Sequence, residues 1–90
     1  MIIWARLWKD NRMLRDYTVE DFSADTRTHK VFHALDEVCN AFDLPHPQWL
    51  DSTIRSFKKH SSCRFTQDCF VGEEIGFDYL EFLVLEEDFM

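Results

Sequence analysis

A chain of 90 residues is enough for one small domain, and an aromatic content of 16% gives it the bulk for a compact core. The formal net charge of −7 disfavours nonspecific binding to nucleic acid or to an anionic membrane. Two glycines and two prolines are too few for a glycine-rich phosphate loop or a long disordered segment.

The start of the chain and its cysteines bear on the cellular compartment. The apolar start MIIWA is interrupted by Arg6 and Lys9, long before the length of a signal peptide or a membrane span is reached. The three cysteines are an odd number without paired spacing, which is typical of free, reduced thiols. We therefore expect a cytoplasmic protein with no membrane contact. The cysteines expected to be free thiols are Cys39, Cys63 and Cys69.

The first twenty residues are predicted to form a β-hairpin. The segments IIWARLWK and MLRDYTVE are rich in aromatic and β-branched residues, and Asp10 and Asn11 between them suit a two-residue turn. With this turn Trp8 is opposite Met13, although a shift of one residue would change every cross-strand partner. Neither face is cleanly polar, so the pattern leaves the buried face open. In this register one face carries Ile2, Trp4, Arg6, Trp8, Met13, Arg15, Tyr17 and Val19, and the other carries Ile3, Ala5, Leu7, Leu14, Asp16 and Thr18.

Residues 22–47 contain the signals of a helix and of its two ends. Ser23 or Asp25 is predicted to cap the N-terminus, with Phe22 as a hydrophobic staple. Pro45 is predicted to end the helix. Apolar residues that recur at helical spacing predict the buried stripe, which consists of Val31, Leu35, Val38 and Phe42 and is flanked by Phe32 and Cys39.

A second helix is predicted to begin at Pro47, because the missing N–H of a proline would lack a partner in the first turn anyway. Leu50, Ile54 and Phe57 form its apolar stripe, and Trp49 lies at the border. Since the connection is short, we expect the two helices to pack against each other as a hairpin or a V.

The remainder of the chain returns to strand character. The segment CRFTQDCFV (residues 63–71) alternates loosely, GEEIG supplies a turn, and FDYLEFLVLEE (residues 77–87) predicts the strongest strand. That last segment is apolar at odd and at even positions, so both of its faces need cover. We expect it inside the sheet, with the helices on one face and large aromatics, a loop or a second subunit on the other. Residues 1–90 are thus predicted to form one α+β domain of order ββααββ, with the helices on one face of a mostly antiparallel sheet.

Histidine and cysteine spacing gives only weak evidence for a metal site. His29 and His33 are four residues apart and share a helix turn, but they fall opposite the apolar stripe and no third ligand is fixed. The motif of His60, Cys63 and Cys69 lacks a second pair of ligands. Small core residues are the favoured interpretation of both cysteines. We expect neither a metal nor a cofactor.

A cysteine nucleophile is a further hypothesis. Cys63 lies beside Arg64 and near His60, an electropositive setting that favours thiolate, whereas Asp68 beside Cys69 disfavours it. No orienting partner or oxyanion donor is identifiable, and the sequence lacks hydrolase, P-loop, dinucleotide-binding and kinase signatures. The sequence therefore favours a protein without enzymatic activity.

The hairpin has the composition of a stacking platform for single-stranded nucleic acid. Seventeen acidic residues oppose that function, because they repel a phosphate backbone. We expect the hairpin aromatics in the core, the arginines along its rim, and no nucleic-acid ligand. The residues concerned are Trp4, Arg6, Trp8, Arg15 and Tyr17, together with a basic patch that would add phosphate contacts and consists of Arg55, Lys58, Lys59 and Arg64.

Acidic residues dominate the last part of the chain, where eight acids and no base follow Phe65. Carboxylates on a strand and a turn can occupy the basic groove of a nucleic-acid-handling protein, where complementary potential raises association rate and selectivity. Ordinary solubility, and neutralisation by the basic segments of the chain, explain the same charges. The acidic block consists of Glu73, Glu74, Asp78, Glu81, Glu86, Glu87 and Asp88.

Three stretches, DTRTHKVFHALDEVCNAFDLPHPQWL, FKKHSSCRFTQDCF and FDYLEF, resemble a group of small uncharacterised bacterial proteins of similar length. The likeness runs through most of the chain. No activity is assigned to that group, so the resemblance implies a bacterial, cytoplasmic origin and no catalytic or binding residues.

The sequence thus predicts a non-enzymatic protein-interaction or accessory module, with a homodimer as one form that would cover the second face of the last strand. Two other hypotheses stay open: an acidic inhibitor of a nucleic-acid-handling enzyme, and a small metal- or thiol-dependent protein. Interaction residues are expected in the acidic block, in the basic patch and among the hairpin aromatics Trp4, Trp8 and Tyr17.

Overall fold

The computed structural model of the chain describes residues 1–88 and confirms an α+β fold of the predicted order. Neither helix within these residues has the length and the apolar run that crossing a bilayer would require. The elements are β1 (Ile2–Lys9), β2 (Arg12–Glu20), α1 (Arg27–Phe42), α2 (Asp51–His60), β3 (Ser62–Phe65), a 3-10 turn (Gln67–Cys69) and β4 (Tyr79–Glu86).

The four strands form one antiparallel sheet in the order β2-β1-β4-β3. The last strand, β4, lies between β1 and β3 and hydrogen-bonds to both, so the prediction of an interior strand is confirmed. Its core side is fully apolar: Leu80 is opposite Leu7, and Phe82 is opposite Ala5. The first and last strands, β1 and β4, are therefore neighbours in the middle of the sheet.

The hairpin turn is at the predicted position, but the strand register beyond the Trp8–Met13 pair differs from the prediction. Asp10 and Asn11 both have positive φ, 51° and 63°, as a type I′ turn requires. Trp8 is opposite Met13, but the register then shifts and Leu7 is opposite Arg15, which leaves Leu14 as the extra residue of a β-bulge.

The bulge exchanges the two faces of β2 for the rest of the strand. Arg15, Tyr17 and Val19 turn towards the helices, so their predicted placement beside Trp4 and Trp8 is wrong. The reason is burial: Val19 packs in the core opposite Ile3, and Tyr17 meets the ring of Phe42 edge-on at 6.4 Å. Arg15 donates to the carbonyl of Ala41 at 2.9 Å, which ties the bulged strand to the end of α1.

The first helix begins later than predicted. Its N-cap is Thr26, whose hydroxyl accepts the backbone N–H of His29 at 3.2 Å, and neither Ser23 nor Asp25 has that role. Asp25 instead accepts the N–H of Thr26 at 2.8 Å and turns the chain just before the helix. The helix ends at Phe42 with Asp43 in the left-handed region, before Pro45 is reached. All four residues of the predicted stripe are buried, as are Cys39, Ala34 and Lys30, while the flanking residue Phe32 is 47% exposed.

The second helix starts at Asp51, and the prediction that Pro47 opens it is wrong. Residues 44–50 form neither helix nor strand, and the N–H of Gln48 donates to the carbonyl of Cys69 at 2.7 Å, which holds this segment against the 3-10 turn. Within α2, Thr53 and Phe57 are buried. Leu50 and Ile54, which complete the predicted stripe with Phe57, are only half-buried.

The two helices make few direct contacts, one of them between the guanidinium of Arg27 in α1 and the ring of Phe57 in α2 at 5.3 Å. The first packs over β1 and β2, and the second packs on β3. The indole of Trp49 lies between them, edge-on to Phe32 of α1 at 6.3 Å and to Phe57 of α2 at 5.5 Å. Trp49 also meets Phe65 of the sheet at 4.9 Å, so one side chain connects both helices to the core.

The predicted strand at residues 63–71 is half right. It runs only from Ser62 to Phe65, after which the chain enters the 3-10 turn. This turn places Cys69 and Phe70 in the core below the helices, where both are about 1% exposed. The 3-10 turn, and not a continuation of β3, therefore covers this part of the core between the helices and the sheet.

Deleting Leu14 should remove the bulge and leave both faces of β2 as they are, because Val19 stays opposite Ile3. We expect this deletion to lower the free energy of unfolding by less than about 1 kcal/mol, since Leu14 is 49% exposed. The matched deletion of Thr18 forces either Tyr17 or Val19 to the solvent side, so it should cost about 3 kcal/mol or more. Urea denaturation followed by far-UV circular dichroism measures both. Equal stability of the two deletion variants would contradict this account of the hairpin.

Candidate interaction surface on the sheet

The sheet has one face that carries no helix, which we call the open face. Both helices, the 3-10 turn and the apolar core lie on the other side. Because direct cross-strand partners point to the same face, the register assigns its side chains strand by strand. They are Met13, Asp16, Thr18 and Glu20 of β2, Ile2, Trp4, Arg6 and Trp8 of β1, Tyr79, Glu81, Leu83 and Glu86 of β4, and Ser62 and Arg64 of β3.

Three rows of side chains run across the middle of the open face, beside an outer row of Glu20, Ile2 and Glu86. The middle row, which we call the charged row, alternates in sign from one edge of the sheet to the other: Asp16, Arg6, Glu81, Arg64. One flanking row consists of Met13, Trp8 and Tyr79, and the other consists of Thr18, Trp4, Leu83 and Ser62. The open face thus has a central row of charged residues with no net charge, and a row with aromatic and apolar residues lies on each side of it.

Arg6 is the centre of this face. Its guanidinium forms an ion pair with Glu81 at 2.5 Å, and its Cζ lies 4.3 Å from the ring centre of Trp4 and 5.4 Å from that of Trp8. Both contacts are within the range of cation–π attraction. The Nε of Arg6 is buried and has no hydrogen-bond partner among residues 1–88. The charge of Arg6 is therefore held between two indoles and one carboxylate.

Hydrogen bonds fix the orientation of both indoles. Trp4 Nε1 donates to Asp16 at 3.0 Å, and Trp8 Nε1 donates to Glu81 at 3.2 Å. At the other edge Arg64 stacks over the ring of Tyr79, with its Cζ 4.7 Å from the ring centre. Each aromatic ring is consequently ordered by a charged neighbour before any partner is present.

Apolar surface remains accessible on and around this face. Trp4, Trp8, Tyr79 and Leu83 are only half-buried. Met13, in the row of Trp8, is 46% exposed. Beyond this row, the bulge residue Leu14 and, at the far end of β4, Leu85 are 49% and 55% exposed.

The prediction that the hairpin aromatics belong to the core is wrong for Trp4 and Trp8, which lie on the open face. Tyr17 does pack against the core, but on the helix side, so it is not part of the same surface. The sequence does not predict the charged row, because the register without the bulge places Asp16 on the opposite face from Arg6. One signal was available: Ile3, Ala5 and Leu7 form an uncharged apolar face, and Tyr17 with Val19 can join it only if β2 contains an extra residue.

The acidic block does not form one surface. Glu81 pairs with Arg6 in the charged row, and Asp78 accepts the N–H of Asp10 at the hairpin turn at 2.8 Å. Glu73 and Glu74 lie in the exposed loop between the 3-10 turn and β4, and Glu86 is exposed at the end of β4. Glu87 and Asp88 turn back onto α1.

Glu87 and Asp88, which follow β4, clamp this segment to α1. Glu87 accepts three hydrogen bonds from the guanidinium of Arg27, at 2.8, 3.1 and 3.3 Å. Asp88 accepts from the Nζ of Lys30 at 2.6 Å and from the amino group of Met1. Lys30 is only 2% exposed, so Asp88 supplies the counter-charge of a buried ammonium group. These hydrogen bonds hold the pKa of both carboxyls below their ordinary values, with Arg27 the main cause for Glu87 and Lys30 for Asp88.

The basic patch is divided between two sides of the molecule. Arg55, Lys58 and Lys59 are exposed on α2, whereas Arg64 projects from β3 onto the open face. Of these, Lys58 lines a groove of about 260 Å³ between the two helices, and Trp49 and Phe57 also line it. A single phosphate-binding stripe is therefore not formed by these four residues.

The two histidines of α1 are exposed and face one carboxylate. His29 Nδ1 lies 2.9 Å and His33 Nδ1 lies 3.9 Å from the carboxylate oxygens of Asp25. Within residues 1–88 no group of three His, Cys, Asp or Glu side chains is arranged to hold a metal ion. Hydrogen bonding from His29 lowers the pKa of the Asp25 carboxyl.

The three cysteines are unpaired and buried, as expected of small core residues. Burial raises the pKa of Cys39 to about 11 and that of Cys63 to about 12. The hypothesis that Arg64 makes Cys63 a thiolate is wrong, because adjacent residues of a strand point to opposite faces. Cys63 faces the core, and Arg64 faces solvent over Tyr79.

Replacing Asp88 by Asn should destabilise the protein more than replacing Glu87 by Gln. D88N leaves the Lys30 ammonium buried without a carboxylate, whereas E87Q weakens an exposed ion pair worth no more than about 1 kcal/mol. A lowered folded pKa means that each carboxyl contributes stability above its ordinary pKa, 4.5 for Glu87 and 3.8 for Asp88, and loses it as the pH falls through the folded value.

The measurement is the free energy of unfolding of the wild type and both variants between pH 7 and pH 3. We expect the stability of D88N to be lower at pH 7 and to fall less steeply below about pH 4, because one linked proton is gone. Equal stability of D88N and wild type at pH 7, with parallel pH profiles, would show that the clamp contributes nothing.

The chain matches no protein-family model, no curated protein sequence and no solved structure. The interpretation of its function therefore depends on the geometry and chemistry of the described residues.

Proposed function

We propose that this protein is a non-enzymatic interaction module that binds a protein partner through the open face of its sheet. The observation that carries the proposal is the ordered, half-buried set of Trp4, Trp8, Tyr79 and Leu83 on the two central strands, with no second layer over it within residues 1–88. An antiparallel sheet that faces water on one side normally alternates apolar and polar residues, and β4 does not.

The composition of the face suits a protein contact. Aromatic residues and arginine are enriched in protein interfaces and supply most of their binding energy, while isolated acids and lysines are depleted. Here the two acids of the charged row are engaged, Glu81 by Arg6 and Trp8, and Asp16 by Trp4. The indoles are held in place by their hydrogen bonds, so less side-chain entropy is lost on binding.

Two other hypotheses gain less support from these observations. A nucleic-acid ligand would place phosphates beside Asp16 and Glu81, and the two arginines of the charged row only balance those acids. An acidic inhibitor would need its carboxylates to face outward together, whereas Glu81, Glu87 and Asp88 are paired inside the chain. Of the three hypotheses, binding to a protein partner is the one in which the aromatic residues of the open face would make the contacts directly.

The proposal includes a reducing compartment, because the three cysteines are unpaired and buried. A bacterial cytoplasm, which the family resemblance implies, meets that condition. It also suits an acidic chain, since a net charge of −7 keeps an exposed aromatic face from nonspecific association with nucleic acid.

Site-specific photocrosslinking in living cells tests the role of the open face. A photoreactive phenylalanine analogue at Leu83 should give a defined protein adduct, and the same analogue at Lys59 on the exposed side of α2 should give none. Adding W4E next to position 83 should reduce the adduct about tenfold or more, since a charge would enter the apolar row. No adduct from position 83, or equal adducts from positions 83 and 59, would contradict the proposal.

A further inference from the structure

We infer that the partner of the open face is a second copy of this chain, packed face to face about a two-fold axis parallel to the strands. This inference rests on the proposed function and names the occupant of the same surface. The axis runs between β1 and β4, the two central strands of the sheet. The result is an eight-stranded sandwich with the helices on its two outer sides.

The charged row selects this axis. A rotation of 180° about a line parallel to the strands reverses the strand order, so β2 faces the partner's β3 and β1 faces the partner's β4. Asp16 then faces the partner's Arg64, and Arg6 faces the partner's Glu81. Every charge of the row meets its opposite, because the row alternates and has an even number of members.

Other two-fold arrangements of the same faces lack this property. An in-plane axis across the strands would preserve the strand order and place each member of the row over its own copy, Asp16 over Asp16 and Arg6 over Arg6. Like charges directly opposed across an interface cost several kcal/mol. The alternation therefore favours one arrangement and disfavours the competing one.

The flanking rows are complementary under the same rotation. Trp4 faces the partner's Leu83, and Trp8 faces the partner's Tyr79. At the edges Thr18 faces the partner's Ser62, so small polar groups surround the aromatic centre. An apolar centre with a polar rim is the usual anatomy of a protein interface. In the common sandwich geometry the two sheets are about 10 Å apart and their strands are nearly aligned.

Burial of the charged row does not isolate any charge. Arg6 and Glu81 already form an ion pair within each chain, so the central pairs enter the interface with their partners. Asp16 and Arg64 lie on the two edge strands and are exposed, and their contacts across the interface stay at the rim. Rim charges contribute mainly to selectivity and association rate, which is the role that an alternating row requires.

Charge reversal of the rim pair tests the inference. The wild type should sediment as a dimer at low ionic strength, and D16R and R64D alone should each raise the dimer dissociation constant about tenfold or more, because each places like charges opposite each other. An equimolar mixture of D16R and R64D should form a heterodimer, since positions 16 and 64 are then both basic in one chain and both acidic in the other, and opposite charges meet at both rims. The double variant D16R/R64D should dimerise with itself, because the exchange of the two charges restores an attractive pair at each rim.

Two control reversals lie off the open face. E37R on α1 and K59D on α2 change exposed charges and should leave the dimer dissociation constant unchanged. Circular dichroism melting of all variants verifies that they fold. A wild type that remains monomeric at about 100 μM, a D16R variant that dimerises like the wild type, or a mixture that does not associate would each overturn the inference.

The outcomes separate this inference from the proposed function. A monomeric wild type whose position 83 crosslinks to a different protein overturns self-pairing and leaves the interaction role in place. A monomer that gives no adduct at position 83 overturns both.

Discussion

The pairing of β1 with β4 joins the two ends of the chain and determines what each face of the sheet presents. On the core side it opposes Leu7 to Leu80 and Ala5 to Phe82, all of them buried. On the open side the same ladder opposes Arg6 to Glu81, and this ion pair orients Trp8 through a shared carboxylate oxygen. Apolar burial therefore fixes the register, and the register in turn builds the charged row.

Much of the architecture could be predicted because its signals are local. Asp10 and Asn11 indicate the hairpin turn, and apolar residues at both parities of residues 79–85 indicate an interior strand. The bulge at Leu14 has no local signal, since MLRDYTVE is ambiguous in either register, and only burial of Val19 against Ile3 decides it. The start of α2 was missed for a similar reason: a long-range hydrogen bond from Gln48 to Cys69 holds Pro47 outside the helix.

The charges of the chain are used in two physically distinct ways. Those near the C-terminus close the fold, where Asp88 neutralises the buried Lys30 and Glu87 binds Arg27. Those on the open face form a neutral row that orders aromatic side chains. Their roles could not be predicted from charge runs, because a run in sequence is divided between the two faces of a strand. Once the register is known, the aromatic rows and the alternating charged row are the observations on which the proposed pairing with a second copy rests.

The fluorine NMR spectrum of protein labelled with 5-fluorotryptophan tests this account most directly, because the three indoles report on different surfaces. Trp4 and Trp8 lie on the open face, and Trp49 lies between the helices. On dilution, the account predicts that the resonances of Trp4 and Trp8 shift together as the faces separate, while that of Trp49 stays constant. Three resonances that do not change with concentration, or a change confined to Trp49, would contradict it.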